Sequence, residues 1–180
     1  MKAILESKRN LLAAALATGV LYVTNQYVIM KILEPLGTDT VLRFQLSFDV
    51  KSVAALLAAW GPAGIETFKT HFYLDFIHPF LYGAFLFISM LYLDTELSGE
   101  PSASRIPMFC YIPCAGAALD LAENVMELVM LGQNPDLSAP LVFATALVSL
   151  TKWVLAGISI SIIIVMGVRL AARLLSRGED

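Results

Sequence analysis

Charged residues are scarce in this chain of 180 residues: only 15% are Asp, Glu, Lys or Arg, whereas 58% are apolar. The charged fraction of a water-soluble domain is about 25%. The sequence therefore lacks the polar side chains that a soluble surface of this length requires, and its mean hydropathy of +0.74 agrees with this. We predict an integral membrane protein, for which the net charge of −3 says little about partners.

Several chemical motifs are also missing. The sequence contains no Gly-rich phosphate loop, no H-E-x-x-H pair and no Ser or Cys in a nucleophile elbow. It has no basic patch with interleaved aromatic residues, so we expect no nucleic-acid partner. Cys110 and Cys114 are spaced as C-x3-C, which is neither a redox C-x-x-C motif nor half of a zinc site. We interpret them as a buried pair of small apolar side chains.

Four apolar stretches are long enough to cross a bilayer, which takes about 20 predominantly apolar residues. They predict an all-α bundle of four transmembrane helices in a single domain, 1–180. The predicted spans are 11–33, 70–93, 106–131 and 139–170. In the first stretch, the small residues Ala13 to Ala15 also fit a signal peptide. The apolar run resumes after Gln26, however, and this length favours a span.

Between the first two spans, residues 34–68 form a polar-to-mixed connection. A short helix from Asp49 to Trp60, ended by Gly61-Pro62, is predicted to lie at the membrane interface. Asp94 to Arg105 is predicted to be a hydrophilic loop.

Lys and Arg residues near the span ends predict the orientation of the bundle. One side collects Lys2, Lys8, Arg9, Arg105, Arg169, Arg173 and Arg177, and the other Lys31, Arg43, Lys51 and Lys69. This bias places both termini in the cytoplasm, in a plasma membrane or a bacterial inner membrane.

The second stretch places ionisable groups inside a predicted span. At 100° per residue, His71, Asp75, His78 and Tyr82 fall on one stripe of a helix. Pro79 cannot donate to the carbonyl of Asp75, so we expect a bend and a free carbonyl beside this acid. We interpret His71, near the end of the span, as a polar anchor at the interface.

The other three predicted spans also have one polar edge each. These edges consist of Thr18, Tyr22 and Asn25 in the first span, Asp120, Glu123, Asn124 and Glu127 in the third, and Thr145, Ser149, Lys152 and Ser159 in the fourth. A charge at the bilayer centre costs about 2.5–3.5 kcal/mol on insertion scales. We therefore expect the edges to face one another, in the outward half of the bundle. The small residues at 115–118 predict the close approach of a neighbouring helix.

The polar edges hold more acids than bases, since four carboxyl groups face one Lys and two His. Our leading hypothesis is a membrane enzyme that acts on a lipid or another bilayer-dissolved molecule. The predicted catalytic residues are Asp75, His78, Asp120, Glu123 and Lys152, and the predicted ligand contacts are Tyr22, Asn25, Tyr82, Asn124 and Glu127. In this hypothesis His78 beside an acid serves as a general base, carboxyl groups donate protons, and Lys152 stabilises charge.

The spacing leaves three alternatives open. Asp75, His78, Asp120 and Glu123 could together bind a divalent metal. The acids could form a path for protons or cations in a binding or transport protein. The protein could also be a structural subunit, in which Lys152 pairs with an acid only to fix the register of the helices.

Overall fold

The computed structural model of the protein describes residues 2–99 and 106–176, and all the regular structure in these residues is helical. The helices are α1 (Lys2–Leu33), α2 (Thr38–Gln45), α3 (Val50–Asp75), α4 (His78–Ser98), α5 (Ile112–Gln133) and α6 (Ala139–Ser176), with 3-10 helices at Glu34–Leu36 and Met108–Tyr111. The predicted all-α class is confirmed.

Three helical segments are long and apolar enough to cross a membrane, namely Ser7–Leu36, His78–Ser98 and Ala139–Ser176. They indicate a helical membrane protein. Helix α5 is not among them, because Asp120, Glu123 and Glu127 lie in its middle.

The stretch predicted as one continuous second span is two helices. Helix α3 ends at Asp75 and α4 begins at His78, with Pro79 in its first turn. Proline suits this position because an N–H in the first turn has no partner within the helix. Pro79 thus starts a helix rather than bending one. The free carbonyl expected at Asp75 is present, and it accepts a hydrogen bond from Nδ2 of Asn124 at 3.2 Å.

The first half of α3 follows the prediction for residues 49–60. Asp49 is the N-cap, and its carboxylate accepts bonds from the backbone N–H and the hydroxyl of Ser52, both at 3.0 Å. These two bonds lower the pKa of Asp49, the backbone bond most strongly. Gly61 then breaks the helical path with φ 62° and ψ −177°, a conformation that favours glycine. Pro62 begins the next stretch, as predicted.

Other boundaries differ from the predictions. Helix α2 lies within the connection 34–68, where no helix before Asp49 was predicted. Helix α4 continues beyond Leu93 to Ser98, so the predicted loop begins later, and its residues 100–105 lie outside the described part.

The start of α5 also differs from the start of the predicted third span, 106–131. Pro113 lies in the first turn of α5, preceded by the 3-10 helix Met108–Tyr111. Cys110 belongs to this 3-10 helix and is buried, whereas Cys114 on α5 is exposed. The predicted buried pair is therefore wrong, because the two cysteines do not share one regular helix.

The core has two apolar clusters with the polar edges between them. The larger cluster contains Ile29, Leu33, Phe44, Val53, Leu57, Phe68, Phe72, Met130, Leu131 and Val142, and the smaller one Met90, Leu91 and Cys110. Along α5 and α6, the buried residues between the clusters include the predicted polar residues Asp120, Glu123, Asn124, Glu127, Thr145, Ser149, Lys152 and Ser159. The expectation that the polar edges turn inward is confirmed for these helices.

Helices α4 and α5 approach closely through small residues. A Cβ added at Gly83 would lie 3.1 Å from the Cβ of Ala117 and 3.7 Å from the carbonyl oxygen of Pro113. This is the approach that the small residues at 115–118 predicted. It brings Tyr82 of α4 beside α5 at the level of the polar edges.

Candidate functional site

A cavity of about 540 Å³ lies between the helices, and all six contribute to its lining. On α3 to α6, its ionisable lining consists of His71, Asp75, His78, Tyr82, Asp120 and Lys152. These residues come from α3, α4, α5 and α6. The structure thus brings together polar groups that are up to 81 positions apart in the sequence. We call this set the ionisable wall.

The rest of the cavity is lined mainly by apolar side chains on α1 and α6. Met30 and Leu33 of α1 lie on one side, and Trp153 and Ile160 of α6 on the other. In the described part of the chain, no Cα atom of α1 comes within 8 Å of a Cα atom of α6. The two helices are therefore splayed apart, and the cavity lies in the cleft between them. Helix α2 covers one end of the cleft with Val41, Leu42 and Gln45.

Lys152 is held between two acids of α5. Its Nζ lies 2.6 Å from Oδ1 of Asp120 and also contacts Oε2 of Glu123. The hydroxyl of Ser149 donates to Oε1 of Glu123 at 2.6 Å. All four side chains are buried. One ammonium is thus shared by two carboxylates, so the three charges sum to −1 when all are ionised.

His71 is part of the site and not an interfacial anchor. The residue is only 3% exposed, and its ring packs between Phe68 and Phe72 with centroid distances of 4.5 and 4.3 Å. Its Nδ1 donates to the carbonyl of Phe68, and its Nε2 lies 3.7 Å from Oδ2 of Asp75. Because Nδ1 carries a proton, Nε2 can share a second proton with the Asp75 carboxyl group. Our interpretation of His71 from the sequence was wrong.

His78 is positioned by residues of α1. Nδ2 of Asn25 lies 3.1 Å from Nδ1 of His78, and the rings of Tyr22 and Tyr82 are 5.3 and 5.5 Å from the imidazole. The amide nitrogen donates, so Nδ1 accepts and the proton of the neutral ring is on Nε2. His78 therefore presents an N–H group rather than a lone pair, in contrast to the base expected from the sequence.

The predicted site residues divide into those that line the cavity and those that support them. Asp75, His78, Asp120, Lys152, Tyr22 and Tyr82 line it. Glu123, Asn25 and Asn124 do not, but they hold Lys152, His78 and the Asp75 carbonyl respectively. The site therefore has a contact layer and a supporting layer behind it.

Glu127 belongs to neither layer. It is fully buried one turn beyond Glu123, and both of its carboxyl oxygens lack a hydrogen-bond partner among the described residues. A buried acid in such surroundings is stable only when it is neutral or compensated.

The metal hypothesis receives no support from the geometry. Among residues 2–99 and 106–176, no three His, Cys, Asp or Glu side chains are placed so that they could hold a metal ion. The Lys152 ammonium instead occupies the position between Asp120 and Glu123 that a cation would take. The carboxyl group of Asp75 lies beside His71, and the ring of His78 lies beside Asn25.

Some residues that line the cavity were not predicted from the sequence. Gln26 lies one turn from Tyr22 on α1, so the helical period could have placed it on the same polar edge. Trp153 follows Lys152 directly and carried no signal that distinguished it from a lipid-facing aromatic residue. The lining from α2 was missed because that helix was not predicted.

In comparisons with known proteins, no family model matches the chain, and no curated protein or solved structure is significantly similar to it. The fold defines a class, that of helical membrane proteins, and within it the chain has an ionisable wall inside a largely apolar cavity.

Proposed function

We propose that the protein is a membrane enzyme that carries out acid–base chemistry on a lipid or another bilayer-dissolved molecule. The observation that carries this proposal is the cavity itself, in which ionisable groups from α3 to α6 line part of a largely apolar cleft. Binding pockets for small ligands have volumes of about 300–1,000 Å³ and combine an apolar lining with a few polar groups. At about 540 Å³, the cavity falls within this range.

In this proposal, α5 crosses the membrane as a fourth span. Its three acids face the bundle interior and not lipid, and Lys152 contacts two of them. Four spans place both termini on one side, which the Lys and Arg distribution assigns to the cytoplasm. Helix α2 and the first half of α3 then lie at the outward interface, and the cavity opens in the outward half of the bundle.

The substrate reaches the cavity from the side. In a bilayer, the exposed residues Met30 and Trp153 at the two edges of the cleft contact lipid chains. A hydrocarbon tail can therefore slide between α1 and α6 without crossing water. Its polar end arrives at the ionisable wall, where Asp75, His78 and Asp120 are within reach.

We assign the base and the acid from the hydrogen bonds of the site. Asp75 is the base, and His71 behind it accepts or returns the proton through Nε2, since its Nδ1 is bound to the carbonyl of Phe68. His78 is the acid, because Asn25 leaves its only proton on Nε2. One proton is removed from the substrate by Asp75 and one is supplied to it by His78. The proton then held by Asp75 and His71 must return to His78 through water or the product before the next turnover, so no net proton is gained or lost.

Lys152 has a separate role in the proposal. Its Nζ donates a hydrogen bond to Asp120 and makes an ion-pair contact with Glu123, and Lys152 lines the cavity. It can therefore stabilise negative charge that develops on a substrate oxygen, and its position is fixed before the substrate arrives. A purely structural subunit would use the same ion pairs but would have no need for an open cavity beside them.

Comparative lipid analysis tests the proposal. The purified protein in lipid nanodiscs is incubated with a total lipid extract of its expression host in D2O, and the lipids are analysed by mass spectrometry. Wild type is expected to change the mass or the deuterium content of a lipid species, and Asp75→Asn and His78→Gln are expected to abolish this change. Asp39→Asn, on the exposed side of α2, is the matched control and should behave as wild type. A change that persists in Asp75→Asn would remove the assignment.

A further inference from the structure

We propose that the cavity selects single-chain amphiphiles whose polar end is a protonated amine. This inference rests on the proposed function and names the class of molecule that the site takes. The ammonium is placed against Asp75 and Asp120 of the ionisable wall, and the hydrocarbon chain lies in the cleft between α1 and α6.

The first reason is the charge balance of the wall. Lys152, Asp120 and Glu123 carry a net charge of −1 when all three are ionised, since one ammonium serves two carboxylates. The proton shared by Asp75 and His71 makes that pair neutral at best. With both acids of α5 ionised, one negative charge is therefore left uncompensated among the described residues of the site. A buried charge of this kind is costly unless it is paired.

The second reason is that the cavity gives access to this charge. Asp75 and Asp120 line the cavity, whereas Glu123 lies behind Lys152 and is fully buried. A compensating cation can therefore reach Asp75 and Asp120 along the cleft. A positive group on a hydrocarbon chain fits this route, because the chain leaves its contacts with lipid and makes apolar contacts with Met30 and Trp153 instead.

The third reason is the aromatic surface beside the wall. The ring of Tyr22 stacks on Phe85 at 6.0 Å and meets the edge of Tyr82 at 6.4 Å, and all three residues line the cavity. Aromatic faces attract organic cations, most strongly where water is excluded. A carboxylate with neighbouring aromatic rings recognises an ammonium, and it disfavours a carboxylate or phosphate on the ligand.

The two tryptophans of the chain allow a direct test. Trp153 lines the cavity, whereas Trp60 packs against Phe44 and Phe68 in the larger apolar cluster. The indole N–H of Trp60 has no hydrogen-bond partner among the described residues, so Trp60→Phe removes none of the bonds seen there. In that background, fluorescence reports on Trp153 alone.

The experiment titrates the Trp60→Phe protein, in nanodiscs of zwitterionic lipid, with dodecylamine, dodecanol and dodecanoate. We expect the amine to bind roughly tenfold more tightly than the alcohol, since its bond to a carboxylate is charge-assisted. Dodecanoate is expected to bind most weakly. Asp75→Asn and Glu123→Gln should each reduce the preference for the amine, and Asp39→Asn should not. Glu123→Gln is informative because this residue does not touch the ligand.

The possible results separate this inference from the proposed function. Equal affinity for amine and alcohol, or tighter binding of dodecanoate, would overturn the inference and leave the lipid cavity in place. An amine preference that survives both Asp75→Asn and Glu123→Gln would overturn it as well. If none of the three compounds changed the fluorescence of Trp153, both the inference and the proposed binding cavity would be rejected.

Discussion

The side-chain amide of Asn124 donates to the backbone carbonyl of Asp75 at 3.2 Å. This carbonyl is free because residue 79, the usual donor four positions on, is a proline. A polar side chain of α5 thus satisfies a backbone group at the junction of α3 and α4. The bond fixes the end of α3 at the place where Asp75 and His71 enter the ionisable wall.

Replacing Asn124 should destabilise the protein and disturb the site. In Asn124→Leu, the Asp75 carbonyl is left without a donor in a partly buried position, which costs up to about 1–3 kcal/mol. The free energy of unfolding, measured by SDS titration in mixed micelles, checks this expectation. Asn10→Leu, at an exposed position of α1, is the control and should change it little.

The role of Pro79 can be tested in the same series. Pro79→Ala introduces a backbone N–H that can donate to the Asp75 carbonyl. Asn124→Leu should therefore lower the free energy of unfolding by less in the Pro79→Ala background than in wild type. The coupling energy from the double-mutant cycle measures this difference. Identical costs in the two backgrounds would show that the proline does not create the need for Asn124.

Lys152 should be essential for stability while its two acids remain charged. Lys152→Met leaves Asp120 and Glu123 buried without a counter-charge, and breaking a buried ion pair in this way costs about 3–5 kcal/mol. Lys152→Met combined with Asp120→Asn and Glu123→Gln should recover most of that loss, because no uncompensated charge is left. The free energy of unfolding of the purified variants, compared with that of wild type, checks this expectation.

The same variants separate a structural role of the ion pairs from a chemical one. The proposed function requires that the stable triple variant have no effect on lipids. A triple variant that is both stable and active would show that Lys152 serves only to fix the register of the helices. Exposed Lys51→Met is the matched control for loss of a lysine charge.

The contact between α4 and α5 should not tolerate a larger side chain at Gly83. A Cβ there would be 3.1 Å from the Cβ of Ala117, which belongs to a packed helix and cannot move away freely. Gly83→Val is expected to cost about 1–3 kcal/mol by overpacking. Gly157→Val on α6, where a Cβ meets no atom within 4 Å, is the control. Equal stability of the two variants would contradict the close approach.

The polar edges were predictable because burial in a helix follows a fixed period. Glu123, Ser149 and Lys152 recur on the inner faces of α5 and α6, and each is buried where the period places it. Because placing a charged side chain in lipid costs free energy, these edges are expected to face one another regardless of how the loops connect the helices.

Other features of the fold could not be predicted, because tertiary contacts determine them and the local sequence does not. Pro79 is compatible with a kink inside a helix or with the first turn of a new one, and only tertiary contacts such as that of Asn124 decide between them. Helix α2 has eight residues, too short for a periodic signal, and it is stabilised by packing of Phe44 on Trp60 and Phe68. The burial of His71 likewise follows from packing against Phe68 and Phe72, which spacing alone does not show.

The central claim is that the ionisable wall lies in a cavity that bilayer-dissolved molecules reach between α1 and α6. Leu86 and Met90 are both buried on α4, one turn apart, but only Leu86 lines the cavity. Leu86→Cys and Met90→Cys, in a protein with Cys110→Ala and Cys114→Ala, are treated with an N-alkyl maleimide dissolved in the bilayer at alkaline pH, where thiolate forms.

The measurement is the labelled fraction of each variant by intact-protein mass spectrometry. Leu86→Cys should be labelled and Met90→Cys should not. Adding Ala156→Trp, which fills the cleft from α6, should block the labelling, whereas Ala171→Trp at an exposed position should not. Equal labelling at positions 86 and 90, or labelling of Leu86→Cys that Ala156→Trp leaves unchanged, would contradict the account.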